Sequence, residues 1–252
     1  MGNNRTDTVV SAIVASVRDA IREQNVTFEE YRAAIGYLVK TAEAGELPLM
    51  IDMFFNATVV DVINQNAKTE TSPSDMEGPY FLDNAPFVDG KIKTMEEFGG
   101  QPMLLRGSVQ DTNGQPVADA VMDIWSSTPD GKYSGIHDNI PVEYYRGKVK
   151  TGANGEYSVE STVPVPYTIP NTGPCGHLLE MMGKHSWRPA HVHFKIRKPG
   201  FQDLTTQAYF EGGEYVNSDC CEGIVPQEFV VPDKVENGAR VMDLNFVIQA
   251  AA

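Results

Sequence analysis

The chain has 252 residues, a hydrophobic fraction of 41% and a formal net charge of −14. That length accommodates one large domain, or a domain with a smaller companion, and the apolar fraction supports a sizeable core. The acidity argues against nucleic acid and anionic membrane surfaces as partners, because both carry the same sign of charge. Cys175, Cys220 and Cys221 form an odd set with one adjacent pair. They have neither the pattern of a disulfide framework nor the spacing of a zinc site, so a reduced, cytoplasmic chain is expected. No signal-peptide core follows Met1, and no apolar run approaches the length that would span a membrane.

The first third reads as helical. Val9, Val10, Ile13, Val14, Val17 and Ile21 recur near helical spacing. Thr27-Phe28-Glu29-Glu30 has the capping-box pattern, with Thr27 as N-cap and Glu30 reaching back. The helix it starts carries Tyr31, Ala34, Ile35 and Leu38 on one stripe and ends near Gly45. A third helix begins near Leu47-Pro48, where proline is tolerated, and runs through Ile51, Phe54, Phe55, Val59, Val62 and Ile63. Residues 68–75 are polar and read as a linker. From about residue 76, short β-rich segments alternate with turn residues, which points to a β-sandwich or barrel. Asp111-Thr112-Asn113-Gly114 and Ala153-Asn154-Gly155-Glu156 are the clearest hairpin signals. One helical piece, 177–182, interrupts this region.

The chemistry concentrates in four residues. Arg188-Pro189-Ala190-His191-Val192-His193-Phe194 carries a His-x-His pair. On a strand, such a pair puts both imidazoles on one face, which is half of a metal site. Tyr133 and Tyr167 sit in Gly- and Pro-rich, turn-like settings. Tyrosine is a poor ligand for divalent ions because its proton is held with a pKa of about 10. A trivalent ion reverses this, since its charge favours the phenolate. Two phenolates with two imidazoles therefore point to Fe(III), one per chain. An Fe(II) facial triad would need a carboxylate with the two histidines, and no acid is placed as the tyrosines are.

The order Tyr, Tyr, His-x-His, with Arg188 just before the pair, resembles the intradiol ring-cleavage dioxygenases. Residues 107–117 are similar to that family's first hairpin, 121–125 to the strand leading to the first tyrosine, and 204–207 to the strand that carries a catalytic glutamine. The resemblance covers roughly residues 70–250. It implies a mainly β fold, with a β-sandwich catalytic domain at 71–252 and an N-terminal helical dimerisation region at 1–70. In relatives of the catechol and hydroxyquinol branch, such helices form a homodimer interface with a hydrophobic tunnel that can hold lipid. The metal ligands implied are Tyr133, Tyr167, His191 and His193, with Tyr167 and His193 axial. Tyr167 would also take a substrate proton, Arg188 would stabilise negative charge developing on the ring, and Gln207 would support it.

The implied substrates are a small aromatic diol or triol and O2. Ile169-Pro170 after the second tyrosine, and Leu49 with Asp52 on the third helix, resemble the hydroxyquinol enzymes. An extra ring hydroxyl needs a buried acceptor, which Asp52 supplies. Glu77-Gly78-Pro79-Tyr80 is expected to form the opposite wall of the pocket. These residues favour hydroxyquinol as substrate, giving maleylacetate. The alternatives are catechol giving cis,cis-muconate, another trihydroxybenzene such as pyrogallol, and a non-enzymatic β-sandwich binding module.

Overall fold

Alternation along His191–Arg197 divides the structure into an inside and an outside. Val192, Phe194 and Ile196 enter the largest apolar core, so His191, His193 and Lys195 face the other way. The computed structural model describes residues 4–137, 139–221, 227–232 and 234–251. The chain divides into two compact units, Met1–Leu47 and Pro48–Ala252.

The first unit is a pair of helices, α1 (Asn4–Glu23) and α2 (Phe28–Glu43). The capping box forms as the sequence requires. The Thr27 backbone N–H donates to the Glu30 carboxylate at 2.8 Å, and the Glu30 N–H donates to Thr27 Oγ1 at 3.2 Å. Gly45 follows at φ +73°, a conformation that suits glycine just beyond a helix end. Every side chain of α1 is exposed, including the apolar stripe Val10, Ile13 and Val17. Ile35, Leu38 and Val39 of α2 are exposed as well.

The second unit opens with α3 (Leu47–Ile51), a π-helical turn (Asp52–Asn56) and α4 (Ala57–Asn66). The sequence suggests a continuous α-helix here, and the π turn is invisible to residue periodicity. Together these pieces form 20 helical residues that are long and apolar enough to cross a membrane. That differs from the expectation of no such run. Met53 and Val60 nonetheless pack into a protein core with Met76, Ile169 and Leu179, while Ile51, Phe55 and Val59 remain exposed. Residues 68–75 are not a free linker. The Ser72 N–H donates to Val247 O and the Asp75 N–H to Thr205 O, so the segment is laced to two strands.

The described strands are β1 (Pro102–Asp111), β2 (Val121–Ser126), β3 (Arg146–Lys150), β4 (Glu156–Thr162), β5 (Tyr167–Thr168), β6 (Trp187–Arg188), β7 (His191–Arg197), β8 (Leu204–Phe210), β9 (Val230–Val231), β10 (Val235–Glu236), β11 (Ala239–Asp243) and β12 (Phe246–Ile248). One sheet is built around β1, flanked on one edge by β4 and on the other by β11 and then β12, with β10 outside β11. The second runs β3-β2-β7-β8-β9. Leu105, Val109 and Val159 of the first sheet meet Met122, Ile124, Phe194 and Ala208 of the second in one core, which makes the unit a β-sandwich. The expected hairpin turns hold, with Gly114 and Gly155 both at φ +75°. The expected helical interruption is α5 (Pro174–Met181), with Pro174 in its first turn.

Phe194 is fully buried between the sheets, against Phe246 at 5.1 Å between ring centroids. Phe194→Ala is expected to lower unfolding free energy by about 3–5 kcal/mol, as deletion of a buried aromatic leaves an unfilled cavity. Equilibrium denaturation of the two proteins checks this.

Candidate metal centre

The outer face of the second sheet carries the site. Across it, His193 pairs in register with Trp125 of β2 and Gln207 of β8, and His191 pairs with Tyr209. Trp125 lies flat against His193, with centroids 4.5 Å apart and planes 4° from parallel. Two further segments close over this face. Thr128 to Lys132 forms a tight turn, with the Thr128 N–H donating to Lys132 O, and delivers Tyr133 into the interior. The short β5–β6 ladder places Tyr167 directly opposite Arg188. Tyr133 and Tyr167 meet edge to face at 5.2 Å.

His191 Nδ1 lies 2.7 Å from the Pro189 carbonyl. A carbonyl only accepts, so Nδ1 carries the proton and Nε2 is left as an electron pair. That Nε2 faces His193 Nε2 at 3.0 Å and the Tyr133 hydroxyl at 3.5 Å. Burial and the nearby Arg188 charge push the His191 pKa down to about 3, and burial drives His193 well below its usual value. Both imidazoles are therefore neutral donors. Burial also raises both tyrosines above their ordinary value. Left alone, two buried phenols stay protonated, whereas a cation among them would ionise them. His193 Nδ1 has no hydrogen-bond partner among the described residues. Four convergent buried donors fit a metal ion, and the phenols fit a strongly Lewis-acidic one.

Beside this cluster, a cleft is lined by Leu49, Asp52, Met53, Asn56, Met76, Gly78, Pro79, Tyr80, Tyr167, Ile169, Arg188 and Cys221. Of the residues expected at the substrate pocket, Leu49, Asp52, Gly78, Pro79, Tyr80, Ile169 and Arg188 line this cleft, and Glu77 and Pro170 do not. The Glu77 carboxylate pairs with Lys195, and Pro170 is exposed. Gly78 sits at φ +72°, and a Cβ there would approach His193 Cε1 to 3.6 Å. Space is left for a Cβ against the histidine, and it is the positive φ of this turn that favours glycine. Burial raises the Asp52 carboxyl above its usual range.

Arg188 is buried rather than free to swing. Its Nε and Nη2 donate to the Asp219 carboxylate at 2.9–3.2 Å, and Nη2 also donates to Gln207 Oε1 at 3.3 Å. Burial alone would weaken the charge on each partner. Their attraction outweighs it, holding Arg188 above and Asp219 below the usual value. Gln207 is fixed in turn by donating from Nε2 to Met76 O at 2.5 Å. Sequence reasoning missed Asp219, Asp75, Tyr209, Cys221, Met53, Asn56 and Met76. Tyr209 was readable, being two residues beyond Gln207 on one strand face. Met53 and Asn56 were also readable, from helical spacing to Leu49 and Asp52. Nothing local marks Asp219.

A β-sandwich whose outer face gathers two tyrosines and a His-x-His pair has the donor set of a protein-ligated, non-haem metal centre. The comparisons with known proteins make the class specific. The family model for "Dioxygenase" matches residues 76–250, and that for "Catechol dioxygenase N terminus" matches residues 3–72. A chlorocatechol 1,2-dioxygenase of Pseudomonas sp. (strain P51) is 55% identical over 99% of this chain and 98% of its own length. A hydroxyquinol 1,2-dioxygenase of Rhizobium sp. (strain MTP-10005) is 30% identical over 96% of this chain and 84% of its own. The crystal structure of a chlorocatechol 1,2-dioxygenase from Pseudomonas putida superposes with a TM-score of 0.94 at 49% identity, covering 98% of this chain and 100% of that one. The chain belongs to the intradiol dioxygenase family, a family of non-haem iron enzymes, and is an intradiol ring-cleaving dioxygenase. The reading as a non-enzymatic binding module is left without support.

Removing one partner of a buried ion pair strands the other charge, at about 3–5 kcal/mol. Asp219→Ala is expected to destabilise the protein by that amount, and the Asp219→Ala/Arg188→Ala double variant by less than the sum of the singles. A double-mutant cycle in denaturant measures both.

Proposed function

We propose that the chain cleaves a chlorinated or unsubstituted catechol between its two hydroxylated carbons with O2, giving the corresponding cis,cis-muconate. The observation that carries the substrate choice is the cleft wall. Leu49, Met53, Met76, Pro79, Ile169 and Cys221 make it apolar and rich in sulfur. Such a wall accepts a polarisable ring chlorine, which asks for no hydrogen bond. The 55% identity to a chlorocatechol 1,2-dioxygenase supports the same reading. Hydroxyquinol cleavage to maleylacetate is the second reading. It is favoured by Asp52, a carboxylate in the cleft wall able to accept from a third hydroxyl. Pyrogallol-type triols fall under that second reading.

Tyr133, Tyr167, His191 and His193 are the proposed ligands of one Fe(III) per chain. When bound, the ferric ion supplies a Lewis-acidic centre that chelates the two adjacent oxygens and activates the ring towards O2. The remaining work falls to the chain itself. The Tyr167 oxygen accepts a proton from a substrate hydroxyl. The Arg188 guanidinium, in the same wall, offsets negative charge developing on the ring. Asp219 and Gln207 hold that guanidinium still, so little reorganisation is needed when charge appears. The apolar wall keeps water from the ring. The proposed functional division is a helical region at 1–70 and a catalytic domain at 71–252, supported by the two family models at 3–72 and 76–250. The exposed stripes of α1 and α2 support a homodimer through those helices, with lipid as a further occupant of the apolar surface. Three free thiols suit a cytoplasmic location.

Purified protein is expected to contain one iron per chain, with a visible tyrosinate-to-iron band. His191→Ala and His193→Ala should lose iron, and Tyr133→Phe should weaken or shift the band. Zinc in metal analysis, or a colourless iron-loaded protein, would refute the ligand set. Oxygen uptake across chlorocatechols, catechol, hydroxyquinol and pyrogallol tests the substrate. The highest kcat/KM is expected for the catechols. A preference for hydroxyquinol, abolished about ten- to a hundredfold by Asp52→Ala with iron intact, would install the second reading.

A further inference from the structure

Behind Arg188 and Gln207 lies a buried carboxyl that the proposed mechanism does not use. Asp75 is 3% exposed. Its Oδ1 accepts from the Met76 N–H at 2.6 Å, and its Oδ2 lies 2.8 Å from the Tyr209 hydroxyl. The same hydroxyl lies 3.1 Å from Gln207 Oε1. A phenol has one proton to give, and here two acceptors compete for it. We propose that Asp75 is a positioning residue: by donating to or accepting from Tyr209, it decides whether the Tyr209 proton holds Gln207, and through Gln207 the Arg188 guanidinium.

The two arrangements follow from donor counting. With Asp75 neutral, its carboxylic O–H donates to the Tyr209 oxygen, and the Tyr209 O–H donates to Gln207 Oε1. Gln207 Oε1 then has two donors, Tyr209 and Arg188, while its amide nitrogen is anchored on Met76 O. With Asp75 ionised, Tyr209 must donate to the carboxylate. Its oxygen lone pairs then face Gln207 Oε1 at 3.1 Å. Gln207 cannot turn its amide over, because Oε1 would then face Met76 O. It has to move, and its hold on Arg188 loosens. Titration occurs in a working range, since burial pushes the Asp75 carboxyl up to about 7. The Met76 N–H, Arg188 and Tyr209 act to lower it, and Asp219 adds to the rise. The organised state is therefore the neutral one, complete below that pH and lost as pH rises through it.

The proposal rests on the reading of the adjoining cleft as the substrate site, and two measurements on the iron-loaded protein test it. In the first, kcat/KM for a catechol is followed from about pH 5.5 to about 8.5. The wild type is expected to fall about fivefold through neutrality, the equivalent of one net hydrogen bond. Asp75→Asn should keep the low-pH value throughout, since an amide can donate to Tyr209 and accept from Met76 as the neutral acid does. Tyr209→Phe should show the lowered value at every pH. A step that persists in Asp75→Asn, or an Asp75→Asn enzyme slow at low pH, overturns the proposal. A purely structural role for Asp75 would shift stability without removing the pH step. In the second, the infrared absorption of a protonated carboxyl should be present near pH 6 in the wild type and missing in Asp75→Asn. Its absence from the wild type overturns the proposal independently of turnover. Absence of ring cleavage at any pH overturns the functional reading, and the positioning role with it.

Discussion

Four buried electron-pair donors converge on one point, and the rest of the site is arranged around that fact. His191 has its tautomer set by the Pro189 carbonyl, so its Nε2 pair has to face inward. His193 is clamped flat by Trp125 and cannot rotate away. Tyr133 is as deeply enclosed as the imidazoles, and Tyr167 is buried beside it. In a medium this dry the imidazoles stay neutral and the phenols protonated, and a cation placed among them would ionise the phenols and hold all four groups. The sheet, the turn at 128–132 and the β5–β6 ladder are the frame that brings these groups together. Arg188 stands beside them, paired with the Asp219 carboxylate and facing Tyr167 as well.

Period-two and period-3.6 patterns carried much of this architecture in the sequence. The His-x-His alternation announces a strand with one face in a core, and the structure buries Val192, Phe194 and Ile196 accordingly. The Thr27–Glu30 cap and the glycine turns at 114 and 155 are local chemistry, and local chemistry is legible. Asp219 is not. It reaches Arg188 from 31 residues away, out of a loop with no periodicity, and only the folded chain reveals that the guanidinium has a buried partner. Glu77 shows a different failure. It lies in the wall-forming segment as expected, but its side chain turns to Lys195, because neighbouring residues in extended chain face opposite ways. Residues 68–75 look like a linker because they are polar. They lie against the sheets because backbone groups and polar side chains alike, Ser72 Oγ and the Asp75 carboxyl among them, make bonds there.

Substrate choice is a contest between one carboxylate and several sulfur-bearing walls. A sequence reading weighs Asp52 heavily, because a lone acid on an apolar helix face is conspicuous. The cleft sets it among Leu49, Met53, Met76, Ile169 and Cys221, which together form a surface suited to an apolar substituent. A carboxylate at such a margin stays partly hydrated and tolerates a substrate that gives it nothing. An acceptor sealed deep in the wall would not.

The π turn at Asp52–Asn56 has a consequence for how this helical stretch can evolve. One extra residue is taken up in a single turn between α3 and α4. Upstream, Leu49 faces the cleft; downstream, Val59, Val62 and Ile63 form an apolar stripe open to the surroundings. Losing one residue there would relax the turn to an ordinary α-helix and leave the downstream stripe close to its present phase, because the wider turn takes up the extra residue without turning the helix beyond it. Cleft wall and outer stripe thus keep their angular relation through that turn. Their contents can drift independently by substitution, and the helix between them tolerates a length change of that one residue.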